Sequence, residues 1–330
     1  MKNSHIIKMQ IALTAALAIL LIAYFFMRGP HSNTYIVAPI NAGSSSIDGS
    51  PISQYPLVNP TVSANLGKHF IIDFKSLEDQ YKGIQTKYPQ KTYIYFAYLN
   101  NSAWVGIHEK TMFTAASTVK VPLAMAVMKN VEEGKLSLDQ SYTLDQLDLD
   151  EHFGTLYQAG ADKSFTLREL LKIMLENSDN TAMNALYKAL NLVGVSDPFG
   201  DVYRAMGWDY QVELGQVPKY NQINLKTLST MFIALYNAQY DTPQDSQLIL
   251  SYLDNSVFND QIPAGVPSSV SVAHKVGMYD TDQTYSDCGI VYAPNRNFLL
   301  CVGSLGAEQK AANQFMAEVS RASYNYVMKN

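Results

Sequence analysis

The segment Thr92-Tyr93-Ile94-Tyr95-Phe96-Ala97-Tyr98-Leu99 is rich in β-branched and aromatic residues and therefore predicts a strand. Asn100-Asn101 follows as a turn signal, and residues 103–107 predict the return strand of a hairpin. Close to the other end of the chain, further strands are predicted over residues 270–276, 288–292 and 298–303. Two opening and three closing strands indicate one sheet that both ends of the folded chain complete.

Helical patterns dominate the chain outside these strands. Apolar residues recur with helical spacing over residues 74–84, 119–133, 167–176, 182–190, 225–238 and 310–328. Helices that are grouped between and after strands, without regular alternation, predict an α+β fold.

Composition limits the class of protein and its partners. The chain has 330 residues, of which 47% are hydrophobic and 16% charged, so it can bury a large core. A net charge of -5 provides no basic surface that would attract phosphate backbones, so we expect no nucleic-acid partner. The six histidines are scattered and only two cysteines occur, so we expect no metal and no cofactor. We expect a monomer.

The amino terminus carries an export or anchor signal. Residues 11–27 are almost wholly apolar, which approaches the roughly 20 residues that a spanning helix needs, and Lys2 and Lys8 precede them. Because no small-x-small cleavage site follows, we expect an uncleaved signal-anchor, with a cleaved signal peptide as the alternative. The lysines place the amino terminus in the cytoplasm.

Three segments follow from this interpretation. Residues 1–28 are a cytoplasmic stub and transmembrane signal-anchor, residues 29–65 are a flexible extracytoplasmic tether rich in Ser, Gly, Asn and Pro, and residues 66–330 are the folded domain. We therefore expect a single-pass protein of the cell membrane whose folded domain lies outside, or a secreted protein if the signal is cleaved.

Ser117 and Lys120 lie three residues apart at the start of an apolar helix, so their side chains share one face, one turn apart. Serine is a poor nucleophile until a base takes its proton, and a lysine with a lowered pKa can be that base. Taken alone this spacing is weak evidence, because a helix-capping serine and an exposed lysine produce the same pattern.

Two later motifs add the remaining functions of a serine hydrolase. Ser178-Asp179-Asn180 follows the helix at residues 167–176, and its serine can relay a proton to a leaving amine. The amide of Asn180 can hold a substrate carbonyl. The sequence therefore predicts that this motif joins Ser117 and Lys120 in one site.

The second motif, His274-Lys275-Val276-Gly277, ends a predicted strand. Its lysine offers charge to a substrate carboxylate, and we expect that charge also to lower the pKa of Lys120. The glycine lets a substrate backbone lie against the strand. The backbone amide of Met278 can join that of Ser117 as an oxyanion hole. We expect His108 and His274 to be structural.

The order Ser-x-x-Lys, Ser-Asp-Asn and Lys-x-Gly resembles the signature of class A β-lactamases and penicillin-binding proteins. The resemblance covers residues 66–330, and the text around the motifs is also similar at residues 113–117, 131–138, 166–171 and 287–292. It implies a β-lactamase/transpeptidase-like fold, in which helices flank a five-stranded antiparallel sheet beside an all-helical subdomain.

The same resemblance implies an acyl-enzyme on Ser117, formed from a β-lactam or a D-Ala-D-Ala peptide. Lys120 would be the base or its partner, and Ser178 the proton relay. Residues that would bind the substrate are Asn180, Lys275, Gly277 and Met278.

Two positions depart from the family pattern. Class A β-lactamases use a glutamate to activate the water that releases the acyl group, and Glu213 has about the right position but lacks the expected context. Val276 stands where the family usually has a Thr or Ser that binds the substrate carboxylate. Loss of that hydrogen bond would cost about 1.5 to 3 kcal/mol of recognition. Slow turnover is therefore expected.

Three functions remain open from the sequence. The first is a class A β-lactamase that hydrolyses β-lactams, the second is a D,D-peptidase of peptidoglycan stem peptides, and the third is a non-catalytic sensor of either ligand. The first two share their acylation chemistry, so the motifs alone separate them poorly.

Cys288 and Cys301 allow a separate hypothesis. If a short turn separates their strands, the two residues lie opposite one another, where a disulfide can form in an oxidising exterior. Two small buried thiols are the alternative.

Overall fold

The structure is a computed structural model that describes residue 71, residues 73–208 and residues 221–330. The predicted signal-anchor, the predicted tether and Glu213 lie outside these residues. Among the helices of the described residues, none has the length and apolar character needed to cross a bilayer.

A five-stranded sheet is formed by both ends of the described chain. Its strands are β1 (Lys91–Tyr98), β2 (Ala103–Ile107), β7 (Val272–Tyr279), β8 (Thr284–Val291) and β9 (Phe298–Leu305). They lie in the order β2-β1-β9-β8-β7 and every neighbouring pair is antiparallel. The predicted sheet is therefore confirmed. Strand β8 begins four residues before its predicted start, because the buried polar residues Thr284 and Ser286 do not show as a hydrophobic pattern.

Eight α-helices lie within the described residues. They are α1 (Lys75–Gln85), α2 (Lys120–Glu132), α3 (Leu167–Glu176), α4 (Asn180–Leu192), α5 (Pro198–Ala205), α6 (Leu225–Tyr236), α7 (Pro243–Asp254) and α8 (Gln309–Lys329). Two short strand pairs complete the elements, β3 (Phe113–Thr114) with β6 (Gln222–Ile223) and β4 (Ser141–Thr143) with β5 (Ser164–Thr166).

Helices α5 and α7 were not predicted, although each carries a start signal. A capping side chain, Asp197 or Thr242, precedes a proline at the first helical position of each. Proline is favoured there because its missing N–H needs no partner in the first turn. The α+β fold class is confirmed.

The sheet separates two hydrophobic cores. Helices α1 and α8 pack on one face, where Tyr81, Phe96 and Phe315 are fully buried. Helix α6 covers the other face, where Phe232 packs in the same core as Leu299 of β9. The second core continues into the helical subdomain and so joins the sheet to the helices that carry the site.

Helix α2 is the centre of the helical subdomain. Helices α3, α4, α5 and α7 all contact it. Ten of its residues, from Lys120 to Asn130, are buried, in keeping with a helix that is apolar on every side. Pro122 lies in the first turn, where no intrahelical N–H bond is lost. Central packing of α2 therefore carries the Lys120 amine into the protein interior.

Cys288 and Cys301 face each other directly in the register of β8 and β9, and both are fully buried. The structure joins their sulfur atoms in a disulfide. Of the two alternatives, the structure therefore supports the cross-strand bridge, which connects two central strands of the sheet.

We predict that protein isolated under oxidising conditions and unfolded without reductant takes up no thiol-alkylating reagent. After reduction, both Cys288 and Cys301 should be alkylated, because a disulfide consumes both thiols. Intact-protein mass spectrometry with and without reductant measures this. Two alkylated cysteines in the unreduced sample would contradict the bridge.

Candidate active site

The Ser117 side chain is presented by a tight turn that precedes α2. Residues Ala116–Val119 form one 3₁₀ turn, and α2 begins at Lys120. Ala116 has φ 48° and Ser178 has φ 58°, both in the left-handed region that non-glycine residues rarely adopt. Such backbone strain persists only where the surrounding structure holds it, and it concentrates at functional sites. Ser178 belongs to the predicted site, and Ala116 directly precedes the predicted nucleophile Ser117.

The Lys120 amine is the centre of the site. Its Nζ donates to Ser117 Oγ at 2.8 Å, to the backbone oxygen of Ser178 at 2.7 Å and to Asn180 Oδ1 at 2.8 Å. Three donors are all that a lysine ammonium has. The structure thus brings together three of the predicted residues around one buried amine.

Burial sets the acidity of this amine. It lowers the pKa of Lys120 to about 7, although the negative charges of Asp179 and Asp150 oppose the shift. A base whose pKa lies near neutrality is partly unprotonated at pH 7 and can accept a proton. Lys120 therefore has both the position and the acidity that a base for Ser117 needs.

Ser178 connects the two lysines. Its Oγ lies 2.8 Å from Lys275 Nζ and 3.3 Å from Lys120 Nζ. Complete burial lowers the pKa of Lys275, and the positive charge of Lys120 lowers it further. Because the repulsion between two ammonium groups is mutual, the expectation that a charged Lys275 lowers the pKa of Lys120 stays a prediction.

Asn180 is oriented by a residue that sequence analysis missed. Its Nδ2 donates to Asp150 Oδ1 at 3.1 Å, which turns its Oδ1 toward Lys120. The hydrogen bond from Asn180 helps to keep the pKa of Asp150 low against the effect of burial. Asp150 lies in an irregular connection without periodicity, so no sequence signal marked it.

Asp179 fixes the same wall of the site from inside. It caps α4 by accepting from the backbone amide of Ala182, and its Oδ2 accepts from the amides of Thr155 and Leu156 at 2.8 Å each. Gly154 has φ 93°, and a side chain there would collide with the Asp179 carboxylate. The aspartate of the Ser-Asp-Asn motif is therefore an anchor for the loop that carries Asp150.

The edge strand β7 forms the opposite wall. A Cβ at Gly277 would lie only 2.7 Å from the backbone oxygen of Ala115, so the glycine is required where the strand meets the Ser117 turn. Sequence analysis expected this glycine to make room for a substrate backbone and did not anticipate its packing against the Ser117 turn. Met278 follows Gly277 in the same strand and is partly exposed. Val276 is fully buried, and its carbonyl accepts from Lys275 Nζ at 3.3 Å.

His274 has a structural partner, as expected. Its Nδ1 lies 2.8 Å from Asp287 Oδ1, and both side chains are buried. Across the part of the chain that the structure describes, no group of three or more His, Cys, Asp or Glu residues is arranged to hold a metal ion.

Known proteins share this architecture. A sequence profile of the β-lactamase enzyme family matches residues 76–327. β-Lactamase 3 of Bacillus cereus is 26% identical over 224 residues, which are 64% of this chain and 68% of that protein.

Two solved structures have a similar fold. PBP-A superposes with a TM-score of 0.69 at 23% identity and covers 78% of this chain and 97% of its own. A β-lactamase from Chitinophaga pinensis superposes with a TM-score of 0.68 at 20% identity, over 76% of this chain and 99% of its own. A variant of PBP-A has been solved as an acyl-enzyme complex with penicillin G.

The fold and the serine–lysine site define an active-site-serine hydrolase of the class A β-lactamase type. The chain belongs to the β-lactamase enzyme family.

We predict that Asp150→Asn shifts the pH dependence of Ser117 acylation to lower pH. Acylation needs the unprotonated Lys120 amine, so its rate should fall as the pH drops below about 7. The charge of Asp150 raises the pKa of Lys120, so its removal should move the midpoint downward, while asparagine can still accept from Asn180. Stopped-flow acylation by a chromogenic β-lactam across the pH range measures the midpoint.

Glu133→Gln is the matched control for this prediction, because it removes one exposed charge at the far end of α2. Its midpoint should equal that of the unmodified protein. A midpoint that stays in place or rises in Asp150→Asn would contradict the assigned effect.

Proposed function

We propose that this protein hydrolyses β-lactams through an acyl-enzyme on Ser117, and that the acyl group is released slowly. The observation that supports acylation is the 2.8 Å contact between Lys120 Nζ and Ser117 Oγ, together with a Lys120 pKa of about 7. Family membership supports the β-lactam as substrate.

The acylation step uses the contacts around Lys120. The neutral amine takes the proton of Ser117, and Oγ forms a bond to the lactam carbonyl carbon. The backbone amides of Ser117 and Met278 stabilise the oxyanion. As the C–N bond breaks, Ser178 Oγ gives its proton to the leaving nitrogen and takes one from Lys120, which lies 3.3 Å away. The proton of Ser117 thus ends on the nitrogen of the opened lactam.

Release of the acyl group needs a water molecule and a base. Within the described residues, Lys120 is the hydrogen-bond partner of Ser117 Oγ, and no carboxylate reaches that hydroxyl. We assign to Glu213, the candidate from sequence analysis, the role of the base that activates this water molecule. Because Glu213 lacks the sequence context that class A β-lactamases have around this glutamate, we propose that it activates water poorly and that release is slow.

Intact-protein mass spectrometry of the full-length chain with a penicillin, followed over hours, tests this function. We expect an adduct with the mass of the penicillin that decays while hydrolysed drug accumulates. Ser117→Ala should show no adduct, because the alanine has no nucleophile. Absence of any adduct on the unmodified chain would overturn the proposal.

A D,D-peptidase is the second candidate. The observation that favours it is the sequence around Glu213, which lacks the context of a class A deacylating glutamate and so suits an enzyme that a lactam inactivates. In the same mass experiment, an adduct that never decays would support the peptidase. Release of D-alanine from a D-Ala-D-Ala peptide would then identify it, and turnover of either substrate excludes a sensor that only binds.

We also propose that the chain is held at the cell membrane by residues 11–27 with its folded domain outside. The apolar run and the preceding lysines support this topology. A protease added to intact spheroplasts should degrade the folded domain, and carbonate washing should leave the chain in the membrane fraction. Full protection from the protease would contradict the topology, and recovery in the medium would indicate a cleaved signal.

A further inference from the structure

A cavity of about 400 Å³ borders the active site at Met278. Two aromatic residues line it, Phe153 and Phe258, whose ring centroids are 5.9 Å apart. The backbone oxygen of Phe153 accepts from the amide of Asn180 at 3.0 Å. The Phe258 ring lies 5.6 Å from Lys275 Nζ. The aromatic pair therefore spans the two walls of the site, and the cavity lies on the side of Lys275 and Ser178.

The charge of this cavity is negative. Asp260 and Asp280 line it, and among its described lining residues there is no lysine, arginine or histidine. Asp280 Oδ1 accepts from the hydroxyl of Tyr285 at 2.8 Å. Burial and this contact with Asp280 raise the pKa of Tyr285 to about 12, so the phenol stays neutral and donates to the carboxylate. A substrate carboxylate would meet like charge here.

A buried acceptor in the same cavity lacks a partner. Gln261 is only 3% exposed, and its Nε2 donates to Asn313 Oδ1 at 3.1 Å, which fixes the orientation of the amide. Its Oε1 is buried and has no hydrogen-bond partner in the structure. A buried acceptor without a donor is unfavourable, so a ligand N–H that reaches Oε1 from the cavity, with the small side-chain movement that exposes this atom, would be stabilised there.

The position of the cavity relates it to one side of the scissile bond. Ser178, which the proposed function assigns as proton donor to the leaving nitrogen, lies 2.8 Å from the lysine that the Phe258 ring covers. A group attached to the leaving nitrogen therefore extends toward Asp260, Asp280 and Gln261. Val276 contributes no hydroxyl for a carboxylate at this wall.

We infer that this cleft prefers substrates that carry a cationic amino group on the leaving-group side of the scissile amide. This inference rests on the proposed acylation of Ser117. The two carboxylates supply the charge, Gln261 Oε1 supplies an acceptor, and the aromatic faces add a cation–π attraction. The substrate class is a β-lactam or peptide amide with an ammonium group beyond the leaving nitrogen.

Two cephalosporins with the same acyl side chain test the inference. One carries a methyl group at C3 and the other an aminomethyl group, and C3 belongs to the ring that contains the leaving nitrogen. The measured quantity is the ratio of their second-order acylation constants on the full-length chain, each divided by the rate of alkaline hydrolysis of the same compound. We expect the ratio to fall about threefold to tenfold in Asp260→Asn/Asp280→Asn, the effect of two exposed ion pairs.

Glu133→Gln/Asp139→Asn is the matched control, because it removes two charges beyond the far end of α2, on the order of 20 Å from Lys120. Its ratio should equal that of the unmodified protein. A second test needs no variant. The same ratio is measured at different ionic strengths, because salt screens exposed charges. Between about 20 mM and about 500 mM salt, the ratio for the unmodified protein should fall.

The outcomes are distinct. If both compounds acylate Ser117 but neither the charge-removing variant nor salt changes the ratio, the inference is overturned and the proposed function stands. An equal loss in the control variant would also overturn it. If neither compound acylates Ser117, the proposed function fails, and the inference that rests on it fails too.

Discussion

The site depends on one buried amine. Lys120 lies at the first position of a helix that is packed on every side, and its three hydrogen bonds reach the Ser117 turn, the backbone of Ser178 and the start of α4. Burying an amine is costly unless its bonds are satisfied, so these three elements must keep their relative positions. The same burial lowers the pKa of Lys120 to about 7. The structural role and the catalytic role of Lys120 therefore have the same physical cause, which is the burial of its amine.

Buried aspartates hold both walls of the cleft. On the helical side, Asp179 accepts backbone amides from the loop that carries Asp150 and Phe153. On the sheet side, Asp287 binds His274 of β7 and accepts from the backbone amide of Ile262, which follows the segment that carries Phe258 and Gln261. Each carboxylate fixes a connection that has no regular structure of its own. The cleft can thus be built from loops and still be held to the rigid sheet and helices.

Sequence analysis could find the residues whose relation is local and could not find those that tertiary packing brings in. Helical spacing alone places Ser117 beside Lys120, and the family motifs added Ser178, Asn180 and Lys275. Asp150, Phe258 and Gln261 lie in irregular connections, where no period relates sequence to position. Sequence analysis expected a lowered pKa for Lys120, but the burial that causes most of this shift depends on tertiary packing. Strands β7 and β9 were predicted to within three residues of their bounds, but the buried polar residues of β8 hid the first residues of that strand.

The electrostatics of the cleft constrain its chemistry. Both lysines have lowered pKa values, and the rim carries the carboxylates of Asp150, Asp260 and Asp280. When the lysines are neutral, the field in the cleft is negative. The proton that Lys120 takes from Ser117 places a positive charge near the carbonyl oxygen as its negative charge develops during acylation. The backbone amides and the protonated Lys120 amine then stabilise that oxyanion together. A substrate with its own positive charge offsets the negative charge of the rim carboxylates and so favours acylation. The carboxylates that recognise such a substrate therefore also affect its rate of acylation.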